Sequence, residues 1–415
     1  MKFIADFHIH SKYSRATSRN MDLESLDKWA SIKGIKVLGT GDFTHPEWFK
    51  NLKEKLEPSE QGLFKIKNSA SQTRFILTSE ISCIYSKNNR VRRIHIIVFA
   101  PTFKIVENIN AQLSLIGNLK SDGRPILGLD AKELAKIILN QSQDCQIIPA
   151  HVWTPWFSIF GSKSGFDSIE ECFDEYSKHI YAIETGLSSD PAMNWRLSAL
   201  DKVTLISNSD AHSPQKIGRE ANVFNAEMSY PSIIEVIKKK DSKKFLYTIE
   251  FFPEEGKYHY DGHRGCNVHF SPEETKKHNG LCTVCGRPLT VGVMNRVNEL
   301  ADRGVGTKPE GTIPFKNLVP LLEIIADALG VLPVSKRVEI EYNNLIKEFG
   351  NEFEILLNAP ESDLKKATFL EIVEGIVRVR EGKINIVPGY DGVYGKINIF
   401  SEKEQKKVPN QKTLF

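Results

Sequence analysis

Over roughly the first 240 residues, short β-branched runs alternate with helical patterns, and nearly every run ends in His, Asp or Glu. KFIADFHIH, IKVLGTGD, RFILTSEIS, RRIHIIVFA, CQIIPAHVW, IYAIETG and VTLISNSDAH each read as a buried strand followed by a polar turn. Amphipathic segments such as residues 21–33 and 131–139 lie between them. Such alternation predicts an α/β fold on a parallel sheet, closed as a barrel or open. A parallel barrel gathers its functional residues at the C-terminal strand ends, so residues far apart in sequence converge there.

The residues so gathered are ligand types: His8, His10, Asp42, Glu80, His95, His151, Asp210 and His212. In His8-Ile9-His10 the spacing of two puts both imidazoles on one face of a strand, and Asp210-Ala211-His212 repeats the spacing. Imidazoles with carboxylates suit Zn, Mn or Fe, and a shared carboxylate bridges two ions. The chemistry expected of a multinuclear site is in-line attack of an acidified water on phosphorus, with no side-chain nucleophile. Asp210 and His212 are then expected to be catalytic as well as ligating. His45 or Asp190 could give a proton, although Asp190 fits a turn or helix cap equally well. Arg219 could clamp a phosphate or make a surface ion pair.

Composition narrows the setting. With 40% hydrophobic and 26% charged residues the chain is globular rather than disordered. Its 55 basic and 52 acidic residues give a net charge of only +3, so any nucleic-acid contact must come from local patches. One such patch is the run IKKKDSKK at 237–244, which otherwise reads as a solvated helix face. The N-terminus MKFIADFHIH has charge and histidine where a signal peptide needs an apolar run, so none is expected, and no run of eighteen apolar residues suggests a membrane span. A cytoplasmic, reducing location is expected, because three of the six cysteines crowd together as metal ligands do.

Those three form His263-Arg-Gly-Cys266 and Cys282-Thr-Val-Cys285, two knuckles each with a two-residue gap, followed by Gly286. This is the spacing of a closed structural zinc site. The fourth ligand is His263 by symmetry, with His259, His269 and His278 as rivals. The expected organisation is a barrel over 1–245, a zinc module over 246–300, a mainly helical domain over 301–400 and a flexible tail over 401–415.

The motifs DFHIHS, GTGD, TSEIS, IHIIV, PAHVW and NSDAHS resemble, in order and spacing, those of the PHP (polymerase and histidinol phosphatase) family over residues 1–225. The resemblance implies a distorted (β/α)7 barrel that hydrolyses phosphoesters with two or three divalent ions (Zn, Mn or Mg). It assigns His8, His10, Glu80 and Asp210 to one ion, Glu80, His95 and His151 to a second, and Asp42 with His212 to a third. One departure is that Asp42 is followed by Phe43-Thr44-His45, where the family has Asp-His.

The later motifs PAHVWTPWFSIFGSKSGFDS, GKYHYDGHRGC and CTVCGRPLTVGVMNRVNELADR resemble the endonuclease Q family, to about residue 400. That resemblance implies a DNA repair endonuclease cutting 5′ to hypoxanthine, uracil, xanthine or abasic sites. An extruded base needs aromatic faces, and Trp153, Trp156, Phe157 and Phe160 follow His151 directly. Trp153, Trp156, Phe157 and Arg219 are the expected substrate contacts. The terminal Gln411-Lys-Thr-Leu414-Phe415 resembles a sliding-clamp (PCNA) binding peptide, cut short. Two other readings remain open: a small-molecule phosphatase of the histidinol-phosphate type, and a non-catalytic DNA- or clamp-associated factor.

Overall fold

The computed structural model describes residues 1–401 and 404; the proposed clamp peptide, Gln411, Leu414 and Phe415, lies outside them. The fold is mixed α/β. Strand Lys2–Asp6 pairs in parallel with Val37–Gly39, which pairs in parallel with Arg74–Lys87. Hydrogen bonding then continues antiparallel to Arg90–Ala100 and antiparallel again to Gln146–Pro149. The Val152 amide donates to the Glu184 carbonyl, joining the parallel pair Ala182–Glu184 and Thr204–Ile206. A parallel bridge between Ile9 and Ala211 leads back to the first strand.

The all-parallel sheet expected from the alternating runs is therefore corrected. Arg74–Lys87 and Arg90–Ala100 form one long hairpin, closed where Asn88 and Asn89 both adopt positive φ, 55° and 57°. Two such residues make the turn whose twist matches antiparallel strands, and Asn tolerates it best after Gly. A second antiparallel extension runs from Lys2–Asp6 through Ala221–Asn225 to Phe245–Glu250, whose far edge takes Phe315–Asn317 in parallel. The boundaries expected at 245 and 300 thus cut a continuous sheet.

Helices cover this sheet by burying one stripe. Leu23–Lys33 starts at Asp22, whose carboxylate accepts from the Ser25 amide, and stops at Gly34 in the left-handed region (φ 90°). Its buried residues Leu23, Leu26, Ala30 and Lys33 follow helical spacing. Lys33 is inward because it meets Glu352 at 2.7 Å, and both side chains are buried. The same carboxylate accepts from the Leu321 amide and the Tyr342 hydroxyl. Glu352 opens one of five helices, Leu321–Leu329, Lys336–Phe349, Glu352–Leu357, Glu361–Ala367 and Leu370–Arg380, which form the expected helical region. Their apolar faces join those of the sheet's helices in one hydrophobic cluster. Among the described residues no helix is long and apolar enough to cross a membrane.

Removing one partner of a buried pair leaves a charge without compensation, at a cost of about 3–5 kcal/mol. Glu352→Ala is expected to lose that much stability in urea denaturation, with residues 321–380 losing amide-exchange protection first. A loss below about 1 kcal/mol would show that the pair is not what docks the helical region.

Candidate metal centre and its adjoining cleft

His8 and His10 continue the first strand, and Asp210 follows Thr204–Ile206 across the Ile9–Ala211 bridge. Glu80 and His95 sit inside the hairpin, where Ser82 opposes His95, so they are diagonal neighbours on one face. They lie at mid-strand rather than at strand ends because the hairpin runs on past the site.

Two groups of ligand atoms result, each within 4.8 Å: His8, His10, Glu80 and Asp210, and beside it Glu80, His95 and His151. Glu80 belongs to both. Its Oε2 lies 3.3 Å from His10 Nε2 and 3.6 Å from His8 Nε2. Its Oε1 lies 2.7 Å from His95 Nδ1 and 3.0 Å from His151 Nε2. Asp210 Oδ1 is 3.0 Å from His10 Nε2. His8 Nε2 is buried with no hydrogen-bond partner, a place that a bound cation would fill in exchange for the ring's proton. Donor set and orphaned atom both fit divalent ions at these two positions.

The ligands are held from behind. His8 Nδ1 meets Glu184, 3.0 Å away, whose other contacts are the Asn208 amide and the His151 backbone N–H. His10 Nδ1 meets Asp42 Oδ1 at 3.0 Å, while Asp42 Oδ2 accepts from the Ser11 amide, the Ser11 hydroxyl and the Ser14 hydroxyl. Such carboxylate–histidine pairs set the ring's tautomer and raise its basicity as a ligand. Backbone strain collects here too, since Asp42, His151 and Asp210 all have positive φ (49°, 31° and 47°). Gly123 completes the cradle, because a Cβ there would stand 2.2 Å from Asp42 Oδ2.

Asp42 needs correction as a ligand of a third ion: its carboxylate is filled by His10, Ser11 and Ser14, and it orients His10 instead. Its expected partner His212 lies beside His10, ring centres 4.6 Å apart, and donates from Nδ1 to the Asp210 carbonyl. Asp190 is corrected too. Its carboxylate caps the short helix Pro191–Asn194 by accepting from the Met193 amide, so it is committed to structure. His45 stacks on Tyr13 at 4.4 Å, with a buried Nδ1 that has no partner.

The sequence reading passed over Glu184 and Arg124. Glu184 ends the IYAIETG strand and so carried the same signal as the chosen ligands. Arg124, on the loop 118–125, donates to Glu80 Oε2 at 3.0 Å, and no pattern marked it. Burial would raise Glu80, but His95, Arg124 and His8 hold it well below the usual carboxylate range. Burial opposes charge on His8 and His10 as well, yet the surrounding carboxylates raise both well above the ordinary imidazole value.

A cleft of about 850 Å³ opens beside this centre. Trp156, Phe157 and Arg219 line it together, with Phe251, Glu255, Tyr258 and Tyr394. Phe157 ties the cleft to the metal centre, its ring 4.7 Å from that of His95. Cations lie over the rings: Arg219 over Phe251 at 5.0 Å, Lys257 over Tyr394 at 4.4 Å, Arg93 over Phe157 at 5.8 Å. Trp153 is corrected as a substrate contact. It is 1% exposed, packs on Phe160 and donates from Nε1 to Asn194. Phe160 is equally buried.

The second cluster brings His263, Cys266, Cys282 and Cys285 within 4.8 Å. The rivals are engaged elsewhere: His269 stacks on Tyr390, His278 on Phe270, and His259 is buried beside Tyr260. Burial opposes ionisation of the Cys282 thiol, but the Cys285 and Val284 amides and His263 bring it down to about 6. Gly286 turns the chain at φ 69°. Among the described residues the module's apolar cluster is small, Val268, Cys282 and Leu289 with Cys266 and Phe270 against it, too little to hold it folded unaided.

Residues 320–383 match the family model described as the MJ0043 C-terminal domain. The protein MJ0043 of Methanocaldococcus jannaschii is 37% identical over 259 residues, 60% of this chain and 32% of that protein. The chain thus matches about a third of that relative's length. YqxK of Bacillus subtilis is 30% identical over 95% of this chain and 99% of its own. Among solved structures, the lesion-specific endonuclease PfuEndoQ from Pyrococcus furiosus superposes with a TM-score of 0.86 at 31% identity, covering 99% of this chain and 100% of that one. An endonuclease Q complex with a 27-mer duplex bearing an abasic lesion at the active site gives 0.85 at 32% identity, covering 98% of both chains.

Two outcomes are expected of the clusters. Imidazole binds a cation only when neutral, so metal uptake at pH 7 should release protons from His8 and His10, and affinity should fall as pH is lowered. Calorimetry in buffers of differing ionisation enthalpy measures this; uptake without proton release would contradict the raised imidazoles. Cys285→Ser, or a strong chelator, should open residues 263–290 to protease while the sheet stays folded. Unchanged cleavage there would mean that no metal staples the module.

Proposed function

The chain belongs to the endonuclease Q family, and from that premise we propose that it is a metal-dependent DNA repair endonuclease. It hydrolyses the phosphodiester 5′ to deaminated bases (hypoxanthine, uracil, xanthine) and abasic sites. The observation that carries this reading is the shared Glu80 carboxylate, which faces two ligand groups at once, beside an aromatic cleft. The ring of strands supports a distorted barrel of the PHP type, and the Cys3His cluster supports a structural zinc. The thiols of that cluster need a reducing, cytoplasmic setting.

Bound at these positions, divalent Zn, Mn or Mg ions supply Lewis acidity and an acidified water for attack on phosphorus. The chain's own residues do the rest. Asp42 and Glu184 fix the faces of His10 and His8, so that the ligand nitrogens converge without reorganisation. His212 donates through Nδ1 to a backbone carbonyl, which leaves Nε2 as the proton acceptor beside Asp210. Arg124, facing Glu80, offers a guanidinium to a phosphate oxygen. Trp156 and Phe157 provide faces for an extruded base, and Arg219 adds a cation to the same cleft.

On labelled duplexes carrying one deoxyinosine or one abasic site, with Mg²⁺ or Mn²⁺, a single cut immediately 5′ to the lesion is expected, with none on the undamaged control. Asp210→Ala should reduce the rate by at least about 100-fold while leaving the circular dichroism spectrum unchanged. Turnover of a small phosphomonoester with no cut on any lesion would replace the endonuclease reading by the phosphatase.

A further inference from the structure

A buried arginine outside the metal centre ties an irregular loop beside that centre to the cysteine module. Residues 152–167 form neither helix nor strand, so their buried carbonyls need donors from elsewhere. Arg296, on the helix Val293–Leu300 and 8% exposed, supplies two of them. Its Nε donates to the Phe160 carbonyl at 3.1 Å and its Nη2 to the Phe166 carbonyl at 3.2 Å. The carboxylates of Asp167 and Glu299 balance its charge. The loop is tightly wound: a Cβ at Gly161 would stand 2.4 Å from the Thr154 carbonyl oxygen, and one at Gly165 2.5 Å from the Gly161 nitrogen. His151, just before the loop, and Phe157, within it, both hold positive φ, 31° and 63°. Such conformations are costly and persist only where the surroundings impose them. Their product is contact with the centre, for the Phe157 carbonyl accepts from the His95 amide at 3.1 Å.

The other end of this helix is anchored in the module. Asp261 is buried and accepts from the Gly292 amide at 2.6 Å and the Asn295 side chain at 2.5 Å, which holds the helix's first turn. Asp261 opens the strand Asp261–His263, and His263 is one of the four clustered ligands. Gly262 and Thr290 each donate an amide to the other's carbonyl. At Gly292 the chain passes so close to Tyr260 that a Cβ would stand 2.4 Å from its carbonyl carbon. Hydrogen bonds and short backbone segments thus lead from His263 through Asp261 and Arg296 to Phe157 and His95. We infer that Arg296 is a positioning residue for the metal centre, through which the metal-stapled cysteine module fixes the place of His95. This rests on the reading of Glu80, His95 and His151 as a metal position, and on no particular substrate. Arginine suits the task because its planar fork carries five N–H donors in fixed directions, and a lysine ammonium cannot span two carbonyls in the same way. Continuity becomes coupling only where both ends move one measured quantity.

That quantity is the affinity for Mn²⁺, titrated by calorimetry into the full chain with zinc on its cysteines. The wild type is expected to take one ion at His8, His10, Glu80 and Asp210 and another at Glu80, His95 and His151, the second identified by its loss in His95→Ala. Arg296→Ala should weaken the second ion about tenfold or more, as loss of a group supporting a ligand does, and leave the first unchanged. The His95 amide should lose exchange protection in the same variant. Arg296→Lys should recover only part of the affinity. Cys285→Ser should weaken the same ion, and adding Arg296→Ala to it should cost little more, because both cut one connection. Should Arg296→Ala not fold, Asn295→Ala loosens the helix from Asp261 and is expected to act in the same direction. Unchanged affinity, equal loss of both ions, full recovery with lysine, or additive losses in the double variant would overturn the inference. A wild type that takes up no Mn²⁺ would instead bring down the metal-centre reading on which it rests.

Discussion

A carboxylate taken out of water loses far more hydration than one hydrogen bond returns, and Glu80 is buried completely. It persists because four positively charged or chargeable groups converge on its two oxygens: His8, His10, His95 and His151. Arg124 adds a fifth. Each of those has its own support, Glu184 behind His8 and Asp42 behind His10, so the demand of one anion propagates outward through the ring of strands. Asn208 and Asn222 carry it further, bonding to Glu184 and to each other. Alternating charges in such a network satisfy one another only when all are present, which is why it is dense and strained rather than loosely polar.

Much of this was legible because the ligand residues obey strand periodicity. His8 and His10 share a face by their spacing alone, and the order of motifs brought Glu80, His95, His151 and Asp210 to one centre. The Cys-x-x-Cys spacing picked out the second cluster for the same reason: local geometry follows from local sequence. What misled was the connection between strands. A buried strand looks the same in parallel and antiparallel pairing, and only Asn88-Asn89 announced the hairpin, through turn chemistry rather than hydrophobic pattern.

Side-chain function was harder to read than position. Asp42 occupies the expected place, yet its role was decided by Ser11 and Ser14, neither of which carries a distinctive signal. Trp153 and Trp156 stand three residues apart, but one fills the core and the other lines the cleft, a difference that only the path of the loop settles. Arg124 lies on an irregular loop where periodicity says nothing. Convergence of such residues is a property of the folded loops, and a sequence records it only after the fold is known.

The union of Lys33 with Glu352 has a consequence for synthesis on the ribosome. Lys33 belongs to the first helix, but its partner lies 319 positions later, the difference between 352 and 33. At roughly 5–20 residues per second, the helix waits tens of seconds before that carboxylate emerges. The first strand waits as well, for Ala221–Asn225 to pair along its free edge. For most of its elongation the nascent chain therefore exposes an apolar helix stripe and an open strand edge. The last helices act as a latch that arrives at the end, and a chain cut short before it would keep its N-terminal half as prey for chaperones and proteases.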